Sequence, residues 1–283
     1  MADMESKKKL EKQVVELIDR LPPMPKNIDF LLRSTGEENR YEEDLIEMVS
    51  QDPGFCTDLL HMANSCFSTS DKHIETIEEA VHIVGYRPLI QLVGVWYARD
   101  IILKEFSSLE HLDDYFLHSQ EISLGCRILS EACDVEQHGC DVLSVTGLIH
   151  DIGRLVIMLV SHKTAVRLMG TPWDKMKSIA HDEREVLGMD HCIIGEQILK
   201  KWNFSYYMQE GVLRHHTPLI DGDFSYLGGM IFVAHFVAYS DFSGKMLCNI
   251  LPIELIDKLG LGLNDITKAR EDYFSQKNKM SST

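Results

Sequence analysis

The seven cysteines, Cys56, Cys66, Cys126, Cys133, Cys140, Cys192 and Cys248, include no CxxC pair and are odd in number. That leaves no dithiol motif and no fully paired disulfide framework. With no signal peptide at the N-terminus, they read as reduced small hydrophobes of a cytoplasmic chain; only the pair Cys133 and Cys140 invites a test as ligands. Positive charge is also scarce. Lys and Arg total 28 against 44 Asp and Glu, a formal charge of -16 that repels the phosphate backbone on which nucleic-acid affinity mostly rests. The one basic run, "SKKKLEK" at 6–12, reads as a solvated helix start, so no nucleic-acid partner is expected. No apolar run reaches the roughly 20 uninterrupted residues that span a bilayer. The segment 142–160 comes near, but His150, Asp151 and Arg154 interrupt it; it reads as a buried helix, and no membrane association is expected. A long Gly/Ser linker and internal repeats are missing, and almost nothing reads as a strand.

What is present is helical periodicity in a chain of 283 residues, 45% of them hydrophobic, enough for a substantial core. Leu10, Val14, Val15, Leu17 and Ile18 recur at helical spacing before "LPPMP" at 21–25 stops the first helix. "IDFLLRS" and "EEDLIEMVSQDPG" repeat the pattern, with Asp52-Pro53-Gly54 as a tight joint, and "FCTDLLHMANSCF" follows. The stretch 76–106 predicts two packed helices joined around Gly85-Tyr86-Arg87-Pro88. Beyond it the pattern predicts a helix through His118, another ending near Glu131, a buried segment over 141–162, a helix from about Ile193 to Lys201, one leading into His215-His216, and an apolar helix through His235. The fold class is all-α.

Thirteen histidines are present, and His118, His150, His181, His191, His215, His216 and His235 stand out together with Asp151. Imidazole and carboxylate suit iron, zinc, manganese or nickel without any need for thiolate. Helices can converge such residues from their inward faces, and an aspartate such as Asp151 can lie between two ions. Burying the adjacent imidazoles of "GVLRHHTP" without partners would be costly. Asp182, Glu183 and Asp190 are candidate acceptors for ligand imidazoles. His61, His73, His82, His111, His138 and His162 read as surface or packing residues.

In chain order "LPPMP", "VSQDPGFCTDLLHMANSCF" (49–67), "TIEEAVHIVGYRPL" (76–89), "YFLHS" (115–119), "GLIHDIGRLV" (147–156), "EVLGMDHCIIGEQILKKWNF" (185–204) and "RHHTP" (214–218) resemble the HDOD family, the HD-related output domain of bacterial signalling proteins. The resemblance covers about residues 20 to 240. It implies an N-terminal helical bundle packed against a core similar to the HD phosphohydrolase superfamily. The corresponding parts are an N-terminal helix at 1–20, the N-terminal helical part at 21–112, the HD-like core at 113–243, and a C-terminal extension and tail at 244–283.

Carried over from that superfamily, the first metal-binding histidine falls on His118 and the His-Asp doublet on His150-Asp151. The further histidines fall on His191, His215 and His216, and the closing aspartate's place is taken by His235. One or two divalent ions are implied, iron first, with manganese, nickel or zinc as alternatives. Two departures are visible. His235 removes a negative charge and makes the site richer in nitrogen, and Thr217-Pro218 stands where cyclic-dinucleotide hydrolases carry a Gly-Tyr-Pro loop.

The resemblance implies a regulatory role, acting through a signalling protein or a small phosphorylated effector. The alternative is a metal-dependent phosphohydrolase using Asp151 with the ions and Arg154 against phosphate charge. Arg214 is a further candidate for a phosphate contact. Redox chemistry at a di-iron site is a third class. Asp151→Ala is expected to reduce metal content by more than half and His162→Ala to leave it unchanged; equal content in wild type and the Asp151 variant by elemental analysis would remove the site.

Overall fold

The computed structural model describes residues 2–33, 38–51, 53–67, 74–105, 112–132, 137–160, 176–220, 222–239 and 251–280. These residues fold almost entirely as α-helix, with one two-residue antiparallel hairpin pairing Leu219 with Phe224 and Ile220 with Asp223.

Six helices form the N-terminal part: α1 (Ala2–Arg20), α2 (Lys26–Arg33), α3 (Glu38–Ser50), α4 (Pro53–Phe67), α5 (Ile77–Val84) and α6 (Tyr86–Glu105). Thr76 caps α5 by accepting the Glu79 amide at 3.1 Å. Gly85, at φ 90°, makes the joint to α6, a conformation that a side chain would strain. The predicted pair of helices within 76–106 is therefore present, with its junction one residue long.

The next helices carry the histidines. They are α7 (Leu112–Ala132), α8 (Gln137–Ile149), α9 (Gly153–Val160), α10 (Met176–Leu187), α11 (His191–Lys201), α12 (Tyr206–Arg214) and, after the hairpin, α13 (Tyr226–Ala238). Two differences from the sequence reading matter. The two helices expected through His118 and up to Glu131 are a single helix, α7. The segment expected as one buried helix over 141–162 breaks at residues 150–152, so the His150-Asp151 doublet occupies a turn between α8 and α9. The cause is packing: α9 crosses the start of α11 so closely that a Cβ on Gly153 would overlap the His191 carbonyl oxygen. Hydropathy also marks 142–160 as apolar enough to cross a membrane, but 78% of it is buried inside the protein.

One apolar cluster joins the N-terminal helices to α8, α9, α11 and α12, through residues such as Val14, Leu59, Leu92, Leu155, Ile198 and Val212. The end of α11 is also tied to the end of α1: the Trp202 indole donates to Pro22 O at 2.9 Å and Lys201 Nζ to Ile18 O at 2.8 Å. A second cluster joins α7 and α13 to α14 (Ile253–Leu259) and α15 (Leu263–Met280), through Ile122, Leu129, Val233, Leu255 and Tyr273.

Helix α15 clamps both of its larger neighbours. Arg270 donates to the carbonyls of Phe236 at 2.9 Å and of Tyr239 at the end of α13. Gln276 accepts from Arg127 of α7 at 2.6 Å, and Lys277 pairs with Glu121 of the same helix. The histidine cluster lies where the elements of the two clusters meet.

Gly153→Ala is expected to destabilise the protein by about 3 kcal/mol, the upper range for overpacking against backbone. Chemical denaturation followed by circular dichroism measures it, and an unchanged midpoint would mean that α9 and α11 do not meet at this glycine.

Candidate metal centre

Four imidazoles have one ring nitrogen committed to an acceptor of their own neighbourhood. Nδ1 of His150 donates to Gly147 O at 2.8 Å, that of His215 to Val212 O at 2.6 Å, and that of His235 to Ile231 O at 2.8 Å. These acceptors are three or four residues upstream: Gly147 and Val212 lie in the last turns of their helices, and Ile231 lies one turn before His235 within its helix. Nδ1 of His191 meets the Glu183 carboxylate of α10 at 2.5 Å, and the same oxygen accepts the His191 amide at 2.8 Å. A carbonyl or carboxylate at Nδ1 holds the proton there, so in the neutral form of each ring Nε2 is the nitrogen with the lone pair.

Those lone pairs face one another. Nε2 of His150 and His235 are 3.1 Å apart, and Nε2 of His191 and His215 are 3.3 Å apart. Asp151 lies between the two pairs. Its Oδ2 is 3.4 Å from Nε2 of His118 and of His150, and its Oδ1 is 3.4 Å from Nε2 of His191 and of His215. Asp151 Oδ1 and Nε2 of His118 and of His216 have no hydrogen-bond partner, although all are buried, and the nearest cation to Asp151 Oδ2 is Arg154, its ion-pair partner.

Converging acceptors without donors are unstable unless a cation or a proton sits among them. Nitrogen and oxygen ligands at about 2.0 to 2.1 Å from one ion lie about 2.8 to 3.4 Å from each other, depending on whether the arrangement is octahedral or tetrahedral. The observed separations of 3.1 to 3.4 Å fall within that range, so the donor set fits metal. It divides into His118, His150 and His235 at one end, and His191, Cys192, His215 and His216 at the other; the donor atoms of each set lie within 4.8 Å of one another. Asp151 offers one oxygen to each end.

Electrostatics follow burial and neighbours. Burial pulls His150 down to about 4 and holds His216 and His235 well below the ordinary histidine range. Burial also opposes charge on Asp151, but Arg154, whose Nε is 3.0 Å from Oδ2, and the surrounding imidazoles hold the carboxyl well below its usual value. For His215 burial is outweighed by the Cys192 sulfur and Asp151, which push it up to about 9. Burial raises the Tyr115 phenol, and Asp151 adds to that rise.

All seven residues assigned from the sequence as metal ligands are thus brought together. Glu183 is an imidazole acceptor; Asp190 instead caps α11, accepting Ile193 N at 2.8 Å, and His181 is exposed. Arg154 is ion-paired with Asp151 rather than open on a helix face. His61 and His82 are exposed, whereas His73, His111, His162, Cys133 and the side chains of His138 and Cys140 lie outside the described residues. Cys192 was read only as a small hydrophobe, yet its sulfur is 3.5 Å from His191 Nε2. Its position, immediately after a candidate ligand at a helix start, was the available signal.

Fold and site together define an all-helical protein built around a buried His/Asp centre. The HDOD domain family matches residues 21–218, and the chain belongs to that family. A solved HDOD domain protein of unknown function from Geobacter sulfurreducens is 18% identical, with a TM-score of 0.68 over 99% of this chain and 97% of that one. A protein from Shewanella amazonensis SB2B, provisionally named a phosphohydrolase, is 21% identical, with a TM-score of 0.65 over 92% of this chain and 93% of its own. At these identities the likeness carries the fold. An uncharacterized protein of Treponema pallidum (strain Nichols) is 24% identical over 211 residues, 74% of this chain; the match spans 40% of that relative's length.

The pH dependence of metal-free protein follows with a definite sign. His150, with an ordinary value of 6.5 and a folded value of about 4, together with His216 and His235, favours the fold above 6.5, and that contribution is lost as pH falls toward 4. His215, raised to about 9, favours the fold below 6.5 and loses that contribution as pH rises through 9. Chelated protein is therefore expected to have its highest denaturation midpoint near pH 6.5, falling on both sides; a flat profile between pH 4 and 9 would contradict the burial of these imidazoles.

Proposed function

We propose that the chain is a regulatory HDOD protein whose working part is a two-ion transition-metal centre. The observation that carries this reading is closure. His150, Asp151, His191, His215, His216 and His235 are each no more than 3% exposed, while the side chains of His118 and Arg154 are 31% and 20% exposed. Of these residues only His118 and Arg154 open appreciably to solvent. The nearby cavity, about 50 Å³, lies between α4, α6, α7 and α8 and is lined mainly by apolar side chains such as Val95, Ile102 and Leu148. A centre of this kind suits holding and sensing better than turnover of a large ester.

His118, His150 and His235 would hold one ion, His191, His215 and His216 the other, and Asp151 would lie between them. Bound there, divalent ions supply Lewis acidity and neutralise the buried carboxylate. The chain's own groups do the rest: backbone carbonyls and Glu183 keep the Nδ1 protons in place, and Arg154 keeps Asp151 ionised. Iron suits a nitrogen-rich set with a single carboxylate, and manganese, nickel or zinc are alternatives. A signal would enter through a protein contact or a small phosphorylated effector at the His118–Arg154 edge.

Hydrolysis of a phosphate ester is the second reading, and Arg154 favours it. Its Nη2 is buried without a hydrogen-bond partner beside Asp151, and a guanidinium so placed can receive a phosphate oxygen. Elemental analysis of protein purified without added metal, followed by a phosphomonoester and phosphodiester screen, separates the two. The regulatory reading expects about two ions per chain and no Asp151-dependent turnover. Turnover abolished by Asp151→Asn would replace it with hydrolysis, and absence of metal after anaerobic reconstitution with iron and manganese would remove both.

A further inference from the structure

The two ends of the centre are chemically unequal. His118, His150 and His235 offer only nitrogen, whereas the opposite end includes a thiol that the resemblance to phosphohydrolases does not call for. Cys192 is the second residue of α11 and is 3% exposed. A buried cysteine acting as a small hydrophobe faces aliphatic carbon. Cys192 instead has its sulfur 3.5 Å from His191 Nε2, and within 4.8 Å of a ring nitrogen of each of His191, His215 and His216.

The separations also fit a shared ion. In a tetrahedral site with metal–sulfur and metal–nitrogen distances of about 2.3 and 2.05 Å, sulfur and nitrogen lie about 3.5 Å apart and two nitrogens about 3.3 Å apart. The observed values are 3.5 Å for Cys192 Sγ to His191 Nε2 and 3.3 Å between Nε2 of His191 and His215. Glu183 fixes the ring of His191 from behind, so the nitrogen that faces the sulfur is the one carrying the lone pair.

We infer that Cys192 is a thiolate ligand of the ion held by His191 and His215, giving a centre in which one ion has nitrogen and oxygen donors and the other has sulfur as well. This rests on the two-ion centre proposed above. On binding, the S–H bond breaks, its proton leaves to the buffer, and a sulfur–metal bond forms. Softer ions such as zinc, cobalt or iron are then favoured at this end, and magnesium and calcium are disfavoured. The alternative is an S–H group donating to His191 Nε2 with no metal bond.

Cobalt(II) separates these cases, because a thiolate bound to it adds a near-ultraviolet charge-transfer band that imidazole and carboxylate do not. Full-length metal-free protein titrated with cobalt is expected to develop that band as the centre fills. Cys192→Ser is expected to lose the band while still binding cobalt at the His118, His150 and His235 end. Cobalt binding without the band in wild type, or the band persisting in Cys192→Ser, overturns the assignment. No cobalt binding at all overturns the two-ion centre and this inference with it. Should the serine variant lose its helical circular dichroism, cobalt X-ray absorption of the wild-type protein decides, by the presence or absence of sulfur among the atoms bound to the metal.

Discussion

The structure depends on one buried carboxylate. Asp151 is 1% exposed, yet Nε2 atoms of four imidazoles come within 3.4 Å of its oxygens. A single charge in so dry a place costs several kcal/mol unless it is compensated. Arg154 supplies one positive charge from the next turn. The imidazoles cannot all supply more, because burial keeps His150, His216 and His235 neutral. Metal ions held as proposed would resolve the conflict, since they would bring positive charge without protonating the nitrogens.

That arrangement constrains the backbone around it. The doublet can point inward only because the chain turns between α8 and α9, and the turn can lie against α11 only because residue 153 has no side chain. His191 is then held from two directions, by its amide and by its ring, through one oxygen of Glu183. His191 is thus held in place by contacts that leave its Nε2 uncommitted to Glu183.

Much of this was legible in the sequence, for identifiable reasons. His118, His150, Asp151, His191, His215, His216 and His235 are polar residues set in apolar or helical contexts and ordered like the motifs of a known family. Helical periodicity likewise located most helices. It could not reveal the break at 150–152, because apolar residues continue on both sides, and the cause is a glycine meeting a carbonyl some forty residues away in sequence. Cys192 was overlooked because cysteine is itself a common core residue, and only three-dimensional proximity to imidazole nitrogen distinguishes it. The short hairpin after the histidine pair carries two residues per strand, too few for an alternating pattern to register.

Helix α15 gives the metal centre a mechanical connection to the far side of the molecule. It grips α7, which carries His118, through Arg127 and Glu121, and it grips α13, which carries His235, through carbonyls at that helix's end. His118 and His235 thus sit on helices braced by a common strut. The spacing of these two imidazoles is a property of that strut as much as of the site, so displacing α15 would change the bite that His118 and His235 could offer an ion.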